Sequence, residues 1–164
     1  MKPIEDYDVQ INNEESTKLK YITPALQKKW NADGDFIVME YGTKGKGHYF
    51  TDGQILVEQD GSVKRGEQKK IDYLLLFKNN LPLALVEAKG YDHDVNDGVA
   101  QALEYAELLD VPYAYVSNGK LFHEEERLTG KNCEFGMNDF PTSDELWQKY
   151  KKSNNMIRAS KQRF

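Results

Sequence analysis

One cysteine, Cys133, stands in the chain, so no disulfide forms within a single molecule. The three histidines, His48, His93 and His123, are too scattered for a cysteine–histidine zinc pattern. No apolar run approaches the roughly 20 residues of a membrane-spanning helix. The opening stretch, Met1-Lys2-Pro3-Ile4-Glu5-Asp6, lacks the apolar core of an export signal. A cytoplasmic protein is expected. There is no Gly-x-x-x-x-Gly-Lys-Ser/Thr phosphate loop, no internal repeat and no low-complexity tract. Excess positive charge is also missing. The formal net charge of −5 argues against a protein that merely coats nucleic acid. It leaves room for an enzyme acting on nucleic acid, because metal-binding carboxylates add charge that the ion neutralises.

The 164 residues suffice for one domain with a real core. Residues 1–12 are polar and expected to be flexible. A helix is expected from Asn12 or Asn13, with Glu14 and Glu15 in its first turn, where the helix dipole favours anions. Leu19, Ile22, Leu26 and Trp30 keep helical spacing. Pro24 either kinks this helix or begins a second. Phe36 to Tyr41 reads as a strand, followed by a basic glycine loop at Gly42, Lys44, Gly45, Lys46 and Gly47. Tyr49 to Val57 is either a strand or part of that loop, and Asp60-Gly61 is a hairpin-type turn. Strands are expected at 71–77 and 83–89, joined by a turn at Lys78-Asn79-Asn80. Asp94 or Asn96 caps a helix running to about Leu109, and Pro112 to Ser117 forms a strand. Asn118-Gly119 is a strong hairpin turn, from which Leu121 to Leu128 returns. Thr142 to Glu145 resembles a capping box that starts a last helix carrying Leu146, Trp147 and Tyr150. A polar tail, or the start of a linker, occupies 151–164. This order predicts an α/β fold, a central mixed sheet flanked by helices.

The chemistry concentrates between Ile71 and Tyr105. Asp72 lies in one apolar run, and Glu87 and Lys89 in the next, with Leu83, Leu85, Glu87 and Lys89 on one face by strand alternation. Carboxylates and an ammonium are costly in runs of this apolarity, and a divalent metal would offset that cost. If the two strands pair as a hairpin, Asp72 and Glu87 converge. Hard oxygen ligands of this kind suit Mg²⁺, with Mn²⁺ as a substitute, and the carbonyl of Ala88 can add a further oxygen. Lys89 would then sit beside the reacting water. The chemistry implied is metal-assisted hydrolysis of a phosphodiester. Gln101 and Tyr105, four apart, share a helical face and can point at the site or at a DNA backbone.

Asp72, then Glu87-Ala88-Lys89, then Gln101-Ala102-Leu103-Glu104-Tyr105 resembles the PD-(D/E)xK nuclease superfamily with its Gln-x-x-x-Tyr helix. The wider pattern is similar to the amino-terminal nuclease domain of the R subunit of type I restriction enzymes. The supporting stretches are Glu14/Glu15, Ile22-Thr23-Pro24-Ala25-Leu26 with Trp30, Arg65-Gly66, Val86, Ser117-Asn118-Gly119 and Pro141 to Trp147. The match runs roughly from 14 to 150. The resemblance implies a restriction-endonuclease-like fold in a prokaryotic cytoplasm, with double-stranded DNA as substrate and specificity and modification subunits as partners. ATP would act only through motor domains that this chain does not carry. It also implies Asp72, Glu87 and Lys89 as catalytic residues, with the metal on Asp72, Glu87 and the Ala88 backbone.

Rival readings stay open. Asp72, Glu87 and Lys89 can be a surface ion pair at a strand end. Gln101 and Tyr105 can be a solvated helix face with a packed tyrosine. Glu14 and Glu15 can be helix-start charges or can join the site. Lys64, Arg65, Lys69 and Lys70 can be a solvated charge run or contact DNA phosphates. His93, among Asp92, Asp94 and Asp97, can belong to a second metal site or to a solvated loop. Cys133 is expected to be a buried or incidental thiol. The alternative functions are a free-standing repair or mobile-element nuclease, and a non-catalytic DNA- or protein-binding module on the same scaffold.

Overall fold

The computed structural model describes residues 1–7, 11–42, 56–57, 63–64 and 70–162. Most of the Tyr49–Val57 stretch, the Asp60-Gly61 turn, the glycine loop beyond Gly42, and Arg65 and Lys69 lie outside the described residues. Helical structure begins with α1 (Glu14–Thr17), passes through a π-helical turn (Lys18–Ile22) and continues as α2 (Thr23–Lys29). The strands β1 (Phe36–Tyr41), β2 (Leu56–Val57), β3 (Val63–Lys64), β4 (Ile71–Phe77) and β5 (Leu81–Ala88) come next. Then come α3 (Val99–Leu109), β6 (Tyr113–Ser117), β7 (Leu121–Glu126), β8 (Asn132–Gly136) and α4 (Ser143–Gln162). A six-stranded sheet has the order β1-β4-β5-β6-β7-β8, while β2 and β3 pair separately. Only β5 and β6 in the large sheet run parallel, and α3 is their crossover, so the sheet is mixed as expected.

The helix starts where its cap predicts. The Asn13 side chain accepts from the Ser16 amide at 2.8 Å, capping α1. The buried face differs from the expected one. Leu19 is 78% exposed, and Lys18 is buried with Ile22, Leu26 and Trp30. Pro24 explains the change: it has no N–H to donate, and its ring opposes the carbonyl four residues back. The turn before it widens, and the Thr23 amide reaches the carbonyl of Lys18, five residues back. Steps of four then align Lys18, Ile22, Leu26 and Trp30. Pro24 neither stops the chain's helical course nor leaves it an ordinary α-helix.

The β4–β5 hairpin carries a second departure. Its turn places Asn79 and Asn80 at φ of 62° and 58°, a left-handed conformation that asparagine tolerates. Next to the turn Phe77 faces Leu81 and Leu76 faces Pro82, but further on Leu75 faces Ala84 and Tyr73 faces Val86. One extra residue, Leu83, is therefore accommodated in β5 as a bulge. It comes after Pro82, a residue that strands admit at edges or bulges because it cannot donate to the ladder. Leu83 and Ala84 both enter the core on the α2 and α4 side, while Leu85 enters the core under α3. Leu83 and Leu85 thus do not share a face, contrary to simple alternation, because the bulge resets it.

The first core joins Ile22, Leu26, Trp30 and Leu146 to Tyr73, Val86, Tyr115 and Phe122. The second joins Ala102, Tyr105 and Ala106 of α3 to Leu74, Leu85 and Val116. β8 was not anticipated; it is short and mostly exposed, so it carries no apolar alternation. The capping box at α4 is formed: the Thr142 amide donates to Glu145 Oε1, and the Glu145 amide to Thr142 Oγ1, both at 3.2 Å. The helix runs on to Gln162, so most of the polar 151–164 stretch is helical. Among the described residues no helix is long and apolar enough to cross a membrane.

Beneath α4 lies a buried polar network. Tyr115 donates its hydroxyl to Glu124 Oε2 at 2.8 Å. Lys149 of α4 pairs closely with Glu124 and lies 3.6 Å from Glu126. The Sγ of Cys133, an exposed thiol, lies 3.7 Å from Glu124 Oε1. Glu124 is buried, so removing its cation leaves an uncompensated charge. Lys149→Met is expected to destabilise the fold by about 2–3 kcal/mol, less than a fully buried pair because Lys149 is partly exposed. Adding Glu124→Gln should recover most of that loss. Thermal melts of the single and double variants check it, and an unchanged single variant would show that Tyr115 alone satisfies Glu124.

Candidate active site

The bulge decides which side chains meet. Continuing the turn-proximal register would set Asp72 opposite Val86. The shifted register sets Asp72 opposite Glu87, and residues directly opposite in an antiparallel pair share a face. The contacts agree. The Asp72 amide donates to Glu87 Oε1 at 3.3 Å, and the Ala88 amide to Asp72 Oδ2 at 2.8 Å. Glu87 sits on an inner strand between β4 and β6, opposite Val116 on the second side, and is only 4% exposed. Burial, and then the charge of Asp72, push its carboxyl well above the usual carboxylate range. Among the described residues Glu87 has no cation within 4 Å.

Lys89 comes directly after the last residue of β5. Its amide still donates to the Ser117 carbonyl at 2.8 Å, which holds the backbone against β6. A Cβ on Gly98 would lie 3.0 Å from Lys89 Cε and 2.9 Å from Val116 Cγ1. The bare glycine thus leaves a passage for the lysine stem beneath the start of α3. Lys89 lines an open cavity of about 630 Å³ together with Asn12, Glu14, Gly90, His93 and Asp97. The cavity joins the start of α1 to the exit of β5. The Tyr91 amide ties them by donating to the Asn12 carbonyl at 3.2 Å and to Thr17 Oγ1 at 3.0 Å.

Glu14 enters this site and Glu15 flanks it. Burial, then the charge of Asp72, raise the Glu14 carboxyl, which places its charge near that of the sheet carboxylate. Glu15 is engaged by Lys18, 2.8 Å away. Gln101 and Tyr105 meet each other: Gln101 Nε2 donates to the Tyr105 hydroxyl at 3.0 Å. The Tyr105 ring is buried in the core under α3, and neither residue lines the cavity. Lys70 is exposed and packs along Gly42. Lys69 lies outside the described residues. Asp94 caps the turn before α3 by accepting from the Asn96 amide at 2.9 Å, while His93 and Asp97 are exposed on the cavity wall.

Two residues escaped the reading of the sequence. Lys18 reaches Asp72 Oδ1 at 3.0 Å. Glu40, on β1 between the pairs Met39–Tyr73 and Tyr41–Ile71, stands across from Asp72 with φ of 52°, and its carboxylate lies 3.8 Å from Lys18 Nζ. The signal for Lys18 was its place four residues before Ile22 on the Ile22–Leu26–Trp30 face. Glu40 gave none, since a charged residue near a strand end reads as solvated.

Among the described residues no three His, Cys, Asp or Glu side chains are grouped to hold a metal ion by themselves. Two facing carboxylates with a backbone oxygen and water fit the more modest demand of Mg²⁺, which uses one or two carboxylates and keeps several waters. The buried Glu87, with no cation within 4 Å among the described residues, is the observation that supports that fit.

No family model matches the chain. It is 37% identical over 103 residues to the endonuclease subunit of the type I restriction enzyme EcoAI from Escherichia coli, a match covering 60% of this chain and 13% of that subunit. A structure described as a fragment of an HsdR subunit of a type I restriction enzyme from Vibrio vulnificus YJ016 superposes with a TM-score of 0.70 at 35% identity. That superposition covers 87% of this chain and 26% of the other. The chain therefore spans a minor part of the length of the relatives it matches. In sequence and in fold it is similar to the endonuclease subunit of type I restriction enzymes, with their restriction-endonuclease-like α/β architecture.

Proposed function

We propose that the chain is a Mg²⁺-dependent DNA endonuclease domain of the PD-(D/E)xK kind, the amino-terminal part of a type I restriction R subunit. The observation that carries this reading is the pairing of Asp72 with Glu87 across β4 and β5, with Lys89 two residues on at an open cavity. Double-stranded DNA is the substrate, and specificity and modification subunits are the partners. ATP acts only through motor domains outside this stretch.

Asp72, Glu87 and the Ala88 carbonyl would hold the ion. When bound, the ion supplies Lewis-acid polarisation of the scissile phosphate. The protein's own groups do the rest. The Ala88 amide fixes Asp72, leaving lone pairs of both carboxylates available. Lys89 orients the attacking water from the cavity and offsets the charge that grows on the phosphate. Gln101 steadies the Tyr105 hydroxyl beside the start of the crossover. Lys69 and Lys70 approach the DNA backbone.

Metal binding and chemistry can be separated by mutation. Calorimetry with Mn²⁺ should show binding to the parent chain and none detectable to Asp72→Ala or Glu87→Ala. Lys89→Ala should keep the fold and most of the Mn²⁺ affinity, because an ammonium is not a metal ligand. Its nicking rate should drop on the order of a hundredfold or more. Cutting at the parent rate would remove Lys89 from the chemistry.

Without metal, stability should depend on pH through Glu87. Its folded carboxyl is raised above the ordinary 4.5, so the fold favours the protonated form. Its stabilising share is present at pH values below 4.5 and is lost as pH rises toward the raised value. Glu87→Gln should therefore melt above the parent at pH 8, by about 2–4 °C per kcal/mol relieved. The gap should close by pH 5. Melting curves at the two pH values in chelator measure this, and an equal gap at both would contradict it.

A further inference from the structure

Lys18 is a charged side chain only 5% exposed, in a helical segment whose other buried residues, Thr17, Ile22, Ala25 and Leu26, carry no charge. Three carboxylates from three elements surround its ammonium: Glu15 of α1 at 2.8 Å, Asp72 of β4 at 3.0 Å and Glu40 of β1 at 3.8 Å. Burial pulls the ammonium pKa down. The hydrogen bonds to Glu15 and Asp72 and the charges of both outweigh it, and the group is held above the ordinary lysine range. A compact ammonium is buried only against such partners. The wide turn before Pro24 brings Lys18 to this face.

The consequence lies in Asp72. Its Oδ2 accepts from the Ala88 amide and its Oδ1 from Lys18. One oxygen is fixed by the backbone, and the other is shared with a cation of the protein itself. Glu87, directly opposite, has no such cation among the described residues. An ion entering between the two strands meets one acid that already shares a cation of the protein and one with no such cation among the described residues.

We propose that Lys18 is the resident counter-ion of this pocket, a positioning residue that holds Asp72 in place and competes with the divalent cation for its charge. The inference rests on the metal reading of Asp72 and Glu87. Lys18 keeps the metal-free acidic cluster folded, and the same positive charge a few ångströms from the ion holds metal affinity down. A merely structural tie between α1 and the sheet would affect stability alone.

The experiment compares the parent with Lys18→Met and Lys18→Arg by Mn²⁺ calorimetry and by melting in chelator. Lys18→Met should melt lower than the parent without metal and bind Mn²⁺ about tenfold or more tightly, since a nearby unit charge is removed. Saturating Mn²⁺ should then raise its melting temperature by more than it raises the parent's. Lys18→Arg keeps the charge and should stay within about threefold of the parent affinity. If Lys18→Met does not fold, Lys18→Gln, which retains a hydrogen-bond donor for Asp72, carries the same comparison. Equal or weaker Mn²⁺ binding by the uncharged variant overturns the counter-ion role while leaving the metal site standing. A parent chain that binds no Mn²⁺ overturns the metal site and this inference with it.

Discussion

The offset of one residue between β4 and β5 is the constraint on which the site depends. Side chains in a strand alternate with period two, so a slip of one residue moves a whole set to the other face. Near the turn the hairpin keeps one register, and beyond Leu83 it keeps another. Only the second lets Asp72 and Glu87 face each other. The bulge costs a ladder position, and Pro82 occupies a place where no donor is needed. Its consequences are local and chemical: a backbone amide for each carboxylate to share, and Lys89 delivered to the cavity where β5 ends.

The same offset buries a carboxylate at the end of the sheet. A buried carboxylate without a cation is expensive, and among the described residues Glu87 has none, so its burial favours the protonated form. The fold meets part of the charge at this end of the sheet with Lys18, which reaches in from the helical segment through a turn widened ahead of Pro24. Strain appears beside it as well, in Glu40, whose left-handed φ costs about 1 kcal/mol or more for a residue that is not glycine. A strained backbone at Glu40 and a buried acid at Glu87 with no cation among the described residues, collected at one end of a well-packed sheet, are features that cluster at sites more often than in the rest of a fold. By contrast, the buried Glu124 under α4 is fully partnered by Tyr115 and Lys149. That difference separates the acid under α4 from the one on β5.

Much of the fold was readable because its signals are local. Asn13 as cap, Thr142 and Glu145 as a reciprocal box, Asn118-Gly119 as a turn, and the two apolar runs around Asp72 and Glu87 each depend on neighbours within a few residues. The site's principal carboxylates were readable for the same reason: charged groups inside apolar runs are conspicuous. What escaped depends on long-range geometry. Leu19 looked like a core residue under ordinary helical spacing, and the π-turn gives that place to Lys18. Leu83 and Leu85 looked alike under strict alternation, and only the bulge separates them. β8 pairs through its backbone with little apolar content, so side-chain pattern could not announce it.

The crossover helix shows how such a site stays rigid. α3 joins the two parallel strands, and the turn that opens it passes over Lys89 at Gly98, where any Cβ would meet the lysine stem and Val116. Tyr105 anchors the same helix in the core and holds Gln101 through its hydroxyl. The lysine is thus held by β6 through its amide and passes Gly98 with its stem, and it lines the open cavity. Ser117 and Gly98, which hold its backbone and border its stem, lie on β6 and on the turn that opens α3, elements that also carry the second core, so packing of the sheet and the path of the lysine stem are one constraint.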